Sequence, residues 1–385
     1  MRTGNKVHND IQEWDPARHK QPVDRNLYLL LAEGREAITQ NWEIRQEQCS
    51  ASVRRAMFSK ATFGLWIVAL SAFAQQQQPD VAMLSDGGLH VVMCGTGSPL
   101  ADPNRASACV AVVAGGELIL VDTGPGSWRQ VAASRLPTQS LGAILLTHFH
   151  SDHIGDLGEA ITQSWIAGRA KPIEVYGPPG IKEVVGGFAQ AYRLDADYRT
   201  AHHTEQMLPR AAAGAVTREV NLKNADDAAT VFERNGLKVI AFKVQHDPVK
   251  PAYGYRLDYH GRSVVISGDT AKSTNLARHA VGADLLIHDV LAKDVMTIAS
   301  NNLERAGDKR RAKLARDIMN YHASPAEAAE IAATARVETL VFTHMVPPIN
   351  PPVTEQMFLR GVADIFKGRV VIAKDGMRFD LPARN

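Results

Sequence analysis

Leu141-Gly142-Ala143-Ile144-Leu145-Leu146-Thr147-His148-Phe149-His150-Ser151-Asp152-His153 joins an apolar run to three imidazoles and a carboxylate. Ile144 to Leu146 is apolar and opens on a β-branched residue, so it reads as a buried strand. In an extended chain residues i and i+2 face the same way, which lets His148 and His150 aim ring nitrogens at one ion. A turn after them lets Asp152 and His153 face a second ion nearby. Neutral imidazole and carboxylate are the ligands of borderline divalent cations, zinc first among them. A solvated histidine-rich loop is the bland alternative, and it leaves the distant motifs below unexplained.

The run His148-x-His150-x-Asp152-His153 is an H-x-H-x-D-H motif, and through it the chain resembles the metallo-β-lactamase-fold hydrolases, over roughly residues 89–381. Later motifs fall in the order of that family. His246, in Val244-Gln245-His246-Asp247, resembles its third histidine. Asp269, in Ile266-Ser267-Gly268-Asp269-Thr270, resembles its bridging carboxylate, and His344, closing Thr339-Leu340-Val341-Phe342-Thr343-His344, its last histidine. The resemblance implies two divalent metal ions, expected to be zinc. One would take His148, His150 and His246, the other Asp152, His153 and His344, with Asp269 between them. Paired ions lower the pKa of water and stabilise the attacking and leaving oxygens of a displacement, so the expected reaction is hydrolysis. Asp152 would also accept the proton of the attacking water.

His322, in Tyr321-His322-Ala323-Ser324-Pro325-Ala326-Glu327-Ala328, resembles the histidine of the tRNase Z and arylsulfatase-like branch of that family. The likeness implies that His322 donates a proton to the scissile group or stabilises its charge. Ser324 as N-cap and Pro325 at the first helical position predict a helix that fixes the loop presenting this imidazole. Leu286-Ile287-His288-Asp289 resembles the branch's His-Glu pair with Asp in place of Glu; Asp289 is the expected orienting partner of His322, and His288 reads equally as structural. Asp122, in Leu120-Val121-Asp122-Thr123-Gly124, resembles a carboxylate that hydrogen-bonds beneath the metal loop. Gly95-Thr96-Gly97-Ser98 lacks the lysine and spacing of a phosphate loop and reads as a tight turn. His202-His203 read as surface histidines.

The chain has 385 residues, enough for one large α/β domain with a buried core. Strand-like runs (89–93, 108–113 and 239–244) alternate with helical ones such as 354–366, which fits two sheets sandwiched between helical layers. The family resemblance makes this expectation a four-layer αβ/βα metallo-β-lactamase sandwich, one domain over 89–385. Upstream, Met57-Phe58-Ser59-Lys60, the apolar run 63–74 and Ala72-Phe73-Ala74 read as a cleavable signal peptide, too short to span a membrane comfortably. Residues 1–56 then read as an over-extended gene start, 57–74 as the leader, 75–88 as a linker, and the location as periplasmic or secreted.

Residues 1–74 hold 10 basic and 8 acidic residues, so of the 43 Lys/Arg and 41 Asp/Glu in the chain 33 of each remain downstream. A neutral domain lacks the overall positive field of polyanion binders. One basic run stands out, Lys309, Arg310, Arg311, Lys313 and Arg316; it reads first as a solvated helix face, with an anion-attracting rim before His322 as the alternative. Cys94 and Cys109 would be buried thiols unless their strands adjoin and the compartment is oxidising. From these features the expected function is an exported hydrolase of small esters, aryl sulfate or phosphodiester, with a small-molecule substrate, no nucleic acid, no stable membrane span, and a homodimer admitted. A tRNA 3′-processing endonuclease and a lactone or β-lactam hydrolase are the alternatives. Against the nuclease stand the leader and the lack of a Gly- and Lys-rich arm between Pro172 and His246; a non-catalytic binding protein is set against the intact donor set.

Overall fold

Strands made of uninterrupted apolar residues need cover on both faces, and the computed structural model, which describes residues 79–384, supplies it. The chain lays down β1 (Leu89–Gly95), β2 (Cys109–Ala114), β3 (Glu117–Val121), β4 (Leu141–Leu145), β5 (Ile173–Gly177) and β6 (Ala215–Glu219). It continues with β7 (Ala228–Arg234), β8 (Leu237–His246), β9 (Val249–Tyr259), β10 (Arg262–Ile266), β11 (Leu285–Leu291), β12 (Thr339–Val346) and β13 (Arg369–Ile372), and returns with β14 (Arg378–Leu381). Two seven-stranded mixed sheets result, ordered β14-β1-β2-β3-β4-β5-β6 and β13-β12-β11-β10-β9-β8-β7.

Alternation within β1 shows why the sequence reads as continuously apolar. Leu89, Val91 and Met93 point into the space between the sheets, where they join Val239, Tyr255 and Leu257. Val92 and Cys94 point outward, onto Trp128, Leu157 and Ile181. Those three residues belong to α1 (Ser127–Ala133), α3 (Leu157–Ile166) and α4 (Ile181–Ala191), with the single turn α2 (Ser151–Ile154) between the first two. The second sheet is covered likewise, with Val265, Leu286 and Leu340 meeting Leu276, Ala328 and Phe358. Each such side chain, fully buried, contributes about 1.5–3 kcal/mol relative to exposure. The arrangement is the four-layer α/β sandwich expected from the sequence.

Parallel neighbours need crossovers, and the helices provide them. Between β5 and β6 run α4 and α5 (Arg193–Met207), where no arm was expected; α5 carries His202 and His203, both exposed. Between β10 and β11 lies α6 (Thr274–His279), and between β11 and β12 lie α7 (Lys293–Arg305), α8 (Lys309–Asp317) and α9 (Pro325–Ala335). The single helix expected over 354–366 is two, α10 (Glu355–Leu359) and α11 (Val362–Ile365). Arg360 is not helical, at φ −59° and ψ 122°, and Gly361 sits at φ 72°. That break lets Phe358 and Val362 both reach the core.

Cys94 and Cys109 stand on adjacent strands as free, buried thiols. Burial, with Cys94 beside it, pushes the Cys109 thiol well up. The expected extension, leader and first residues of the linker lie outside the described residues; within the linker, Val81–Leu84 form one 3-10 turn. No helix among the described residues is long and apolar enough to cross a membrane.

Candidate metal and hydrolytic centre

All seven predicted donors meet where strands of the two sheets end. β4 stops at Leu145, and the chain then bends toward the second sheet. Asp122, just past β3, holds the bend: its Oδ1 accepts the Thr147 backbone N–H at 2.8 Å and its Oδ2 accepts the Thr147 hydroxyl at 2.8 Å. Beyond the bend α2 begins at Ser151, so the expected turn is one turn of helix, and it buries Asp152 and His153. His246 closes β8 after a bulge, Asp269 follows β10 by three residues, and His344 sits within β12.

Two residues of the centre hold left-handed backbone, Asp122 at φ 60° and His344 at φ 50°. Such conformations cost roughly 1–3 kcal/mol each and persist where the surroundings fix them. Gly268 is at φ 61°, and a Cβ there would lie 2.6 Å from the Tyr253 carbonyl oxygen and 3.0 Å from Thr147. Only glycine lets β10 deliver Asp269 so close to the histidine loop.

The donors form two adjacent groups. His148 Nε2 lies 3.0 Å from His150 Nδ1, and His246 Nε2 lies 3.4 Å from that same atom. In the second group His344 Nε2 is 3.0 Å and His153 Nε2 is 3.6 Å from Asp152 Oδ2. Asp269 Oδ2 faces both groups, 3.9 Å from His148 Nε2 and His246 Nε2, 3.3 Å from His153 Nε2 and 3.4 Å from His344 Nε2.

Hydrogen bonds behind the rings decide which nitrogens carry protons. The Thr147 hydroxyl donates to Asp122, so it accepts from His148 Nδ1–H at 3.0 Å. His153 Nδ1–H donates to Asp122 Oδ2 at 2.8 Å, and His246 Nδ1–H to the Tyr321 carbonyl at 3.1 Å. In His148 and His246, which burial keeps neutral, the lone pair is therefore on Nε2, turned inward, and His153 turns its Nε2 the same way. His153 Nε2 is buried without a hydrogen-bond partner, and so is His344 Nδ1.

Charge balance makes the same demand. Burial and the crowd of other imidazoles, His153 first, hold His148 well below the ordinary histidine range. Burial likewise lowers His150 and His246. For His153 burial pulls down, but the carboxylates of Asp269 and Asp122 outweigh it and hold the ring well above its ordinary value. Burial would raise Asp269; His344 and His153 outweigh it and keep the carboxyl ionised. Facing lone pairs beside buried carboxylates call for positive charge between them, and imidazole with carboxylate is a donor set for divalent metal. The residues fit such ions.

His322 stands at the rim of both groups, its ring centroid 5.2 Å from that of His246 and 5.5 Å from that of His344. Its Nδ1 lies 2.8 Å from Asp289 Oδ2, which leaves Nε2 free to face the centre. His288 is fully buried, with Nδ1 2.7 Å from the Asp289 carbonyl oxygen, and backs the carboxylate rather than the centre. Ser324 caps α9 through a full capping box with Glu327, which fixes the loop carrying His322. Reading the sequence missed Thr147 and Tyr321, whose hydroxyl and carbonyl set the tautomers of His148 and His246. Their one signal is position, each directly preceding a predicted site histidine. His150 is the exposed donor, and from His246 a cleft of about 600 Å³ runs outward past Gln245 and Lys243.

A family model described as a β-lactamase superfamily domain matches residues 117–345. The ribonuclease Z of Mycolicibacterium paratuberculosis is 38% identical over 299 residues, 77% of this chain and 99% of that protein. That of Mycobacterium marinum is 37% identical over 299 residues, 77% of this chain and 100% of the relative. Among solved structures the short form of human tRNase Z aligns over 76% of this chain and 99% of its own, with a TM-score of 0.55 and 23% identity. A metallo-β-lactamase fold protein of Bacillus subtilis does so over 76% and 99%, at TM-score 0.53 and 21% identity.

These relatives overturn two expectations, that of an exported hydrolase of small aryl sulfates or esters and that of no nucleic-acid substrate. Both rested on a leader and on overall neutrality. Net charge averages over the whole surface, whereas polyanion binding depends on local clusters, so neutrality carried no weight against RNA. With the matched model, the curated relatives and the sandwich fold in agreement, the chain belongs to the ribonuclease Z branch of the β-lactamase superfamily, whose members are metal-dependent hydrolases.

Proposed function

We propose that this protein is an endoribonuclease that cleaves a phosphodiester bond of precursor tRNA on its 3′ side, with two zinc ions at the paired donor groups. The observation that carries the reading is the dyad of His322 and Asp289, 2.8 Å apart at the rim of both groups, in a chain whose curated relatives are named ribonuclease Z. His148, His150 and His246 would hold one ion, Asp152, His153 and His344 the other, and Asp269 would reach both. When bound, the ions polarise the phosphoryl oxygens and make water acidic enough to attack at neutral pH.

The chain's own residues do the rest. Asp152 lies 3.0 Å from His344 and is kept ionised: burial would raise its carboxyl, and the hydrogen bond from His344 outweighs it. It can therefore accept the proton of the attacking water. Asp289 holds His322 through Nδ1, and the opposite nitrogen gives a proton to the leaving oxygen as the P–O bond breaks. Burial would raise Asp289 too; His288 and His322 outweigh it, so an anion stands behind the imidazole throughout. A cleft of about 600 Å³ lies beside His246.

The test is a panel assay of the full chain on a 3′-extended tRNA precursor, p-nitrophenyl sulfate and a lactone, with metal content measured on the same preparation. Cleavage of the precursor, two zinc ions per chain and a fall in turnover of roughly 10²–10³-fold in His322→Ala at unchanged metal content are expected. Preference for the sulfate or the lactone would overturn the substrate, and another resident metal would overturn zinc.

A further inference from the structure

The loop that joins Asp289 to His322 is longer than a crossover needs, and it is built as a helical hairpin of α7 and α8. Its inner side is packed: Met296, Ser300, Ala312 and Ala315 are buried, and the Ser300 hydroxyl donates to the Ala312 carbonyl at 3.0 Å. Its outer side is charged. Residues 293–320 hold seven basic residues (Lys293, Arg305, Lys309, Arg310, Arg311, Lys313, Arg316) against four acidic ones (Asp294, Glu304, Asp308, Asp317). The surplus of three exceeds the +2 of the whole chain.

Four of these cations are engaged, Lys293 with Glu327, Arg311 with Asp308, Lys313 with Asp317 and Arg316 with Glu304. Arg305, Lys309 and Arg310 are exposed and, among the described residues, meet no carboxylate. α8 is nine residues and so about 13 Å long, and a 3-10 turn over Ile318–Asn320 joins its C-terminal end to Tyr321. Tyr321 touches the centre directly, with its ring 5.1 Å from that of His246 and its carbonyl holding that ring. The cations are thus mounted on a packed element fixed to the wall of the hydrolytic centre.

We propose that the α7–α8 hairpin is a phosphate-binding surface that engages the RNA backbone through Arg305, Lys309 and Arg310 and positions the strand over the centre. The proposal rests on the reading of the protein as a ribonuclease and adds where its substrate is held. Lysine and arginine that neutralise backbone phosphates supply affinity without sequence preference, as a nuclease acting on many precursors requires. Ile298 and Leu314 are also exposed on the hairpin, at 62% and 51%, and make a second protein the competing occupant. Two separate apolar side chains beside three free cations favour the polyanion.

The test uses the full chain with Arg305→Ala, Lys309→Ala and Arg310→Ala combined. Binding of a fluorescent 3′-extended tRNA is read by anisotropy from low to high salt, cleavage of the same RNA is followed, and turnover of bis(p-nitrophenyl) phosphate serves as folding control. Expected are weaker RNA binding, roughly ten-fold or more at low salt, and a log–log salt slope reduced by about one per lost contact. KM for the RNA rises accordingly, kcat is little changed, and the small phosphodiester is turned over as before. If the wild type binds RNA with a steep salt slope and the triple variant matches it, the hairpin proposal is overturned. If binding falls in the variant but neither form cleaves the RNA, the hairpin proposal stands and the ribonuclease reading fails. An Ile298→Ser, Leu314→Ser variant that alters the oligomeric state and lowers RNA cleavage, while the charge variant does neither, assigns the hairpin to a protein partner and also overturns the proposal.

Discussion

The two donor groups share a carboxylate and differ in almost everything else. His148, His150 and His246 are three imidazoles backed by uncharged oxygens, the Thr147 hydroxyl and the Tyr321 carbonyl, and His150 is open to solvent. Asp152, His153 and His344 are all buried, with Asp122 behind His153 and left-handed backbone at His344. The first is a neutral cluster at the mouth, the second a charged one built into the ends of the strands. Burial lowers all three histidines of the first group, while carboxylates outweigh burial and raise His153 and His344 in the second. One group would hold metal at little electrostatic cost to the fold; the other is part of the fold's own charge balance.

Asp269→Ala removes the one atom that serves both groups, and it should have the largest effect. Each ion supplies several kcal/mol of transition-state stabilisation, so turnover should drop by about 10⁴-fold, and metal content should fall at both groups. Retention of one tightly held ion, measured by elemental analysis, would show that the groups are independent rather than bridged. Asp122→Asn separates them. It weakens the partner of His153 and Thr147 together, and metal affinity should fall about 10–100-fold, more at the second group than at the first, because only His153 is bound to the carboxylate directly. Competition with a chromophoric chelator reads both affinities, and equal losses would contradict the asymmetry.

The same contrast explains what the sequence made legible. His148 to His153 could be read as metal donors because the local run places four ligands, three imidazoles and a carboxylate, within one strand end and turn. His246, Asp269 and His344 became readable only through family motifs, since nothing local marks a residue that serves a site on a distant part of the chain. The sandwich was legible in its continuous apolar strands, of which β1, β2 and β11 are buried at every residue. What escaped were one small side chain and two backbone features: the hydroxyl of Thr147, the carbonyl of Tyr321, and the break at Gly361 that splits one expected helix into two. The substrate was misread for a different reason. A leader and an averaged net charge were set above the His322 motif, although the free cations of the α7–α8 hairpin sit directly upstream of that histidine in the chain.

The smallest effect tests the comparison most directly, because it is measured without metal. In chelator-treated protein His150→Ala removes an exposed imidazole whose neighbours are other imidazoles, and stability should stay within about 0.5 kcal/mol. His153→Ala removes the donor to Asp122 at 2.8 Å and the nearest imidazole to Asp269, leaving two buried carboxylates short of a partner. Leaving such groups unsatisfied costs roughly 1–3 kcal/mol, read as a lower urea midpoint at unchanged slope. Equal stability of the two variants would mean that the second group is not part of the fold's charge balance. A loss confined to His153→Ala would instead explain why its histidine lies on a helical turn locked under β3, while His150 is left at the surface.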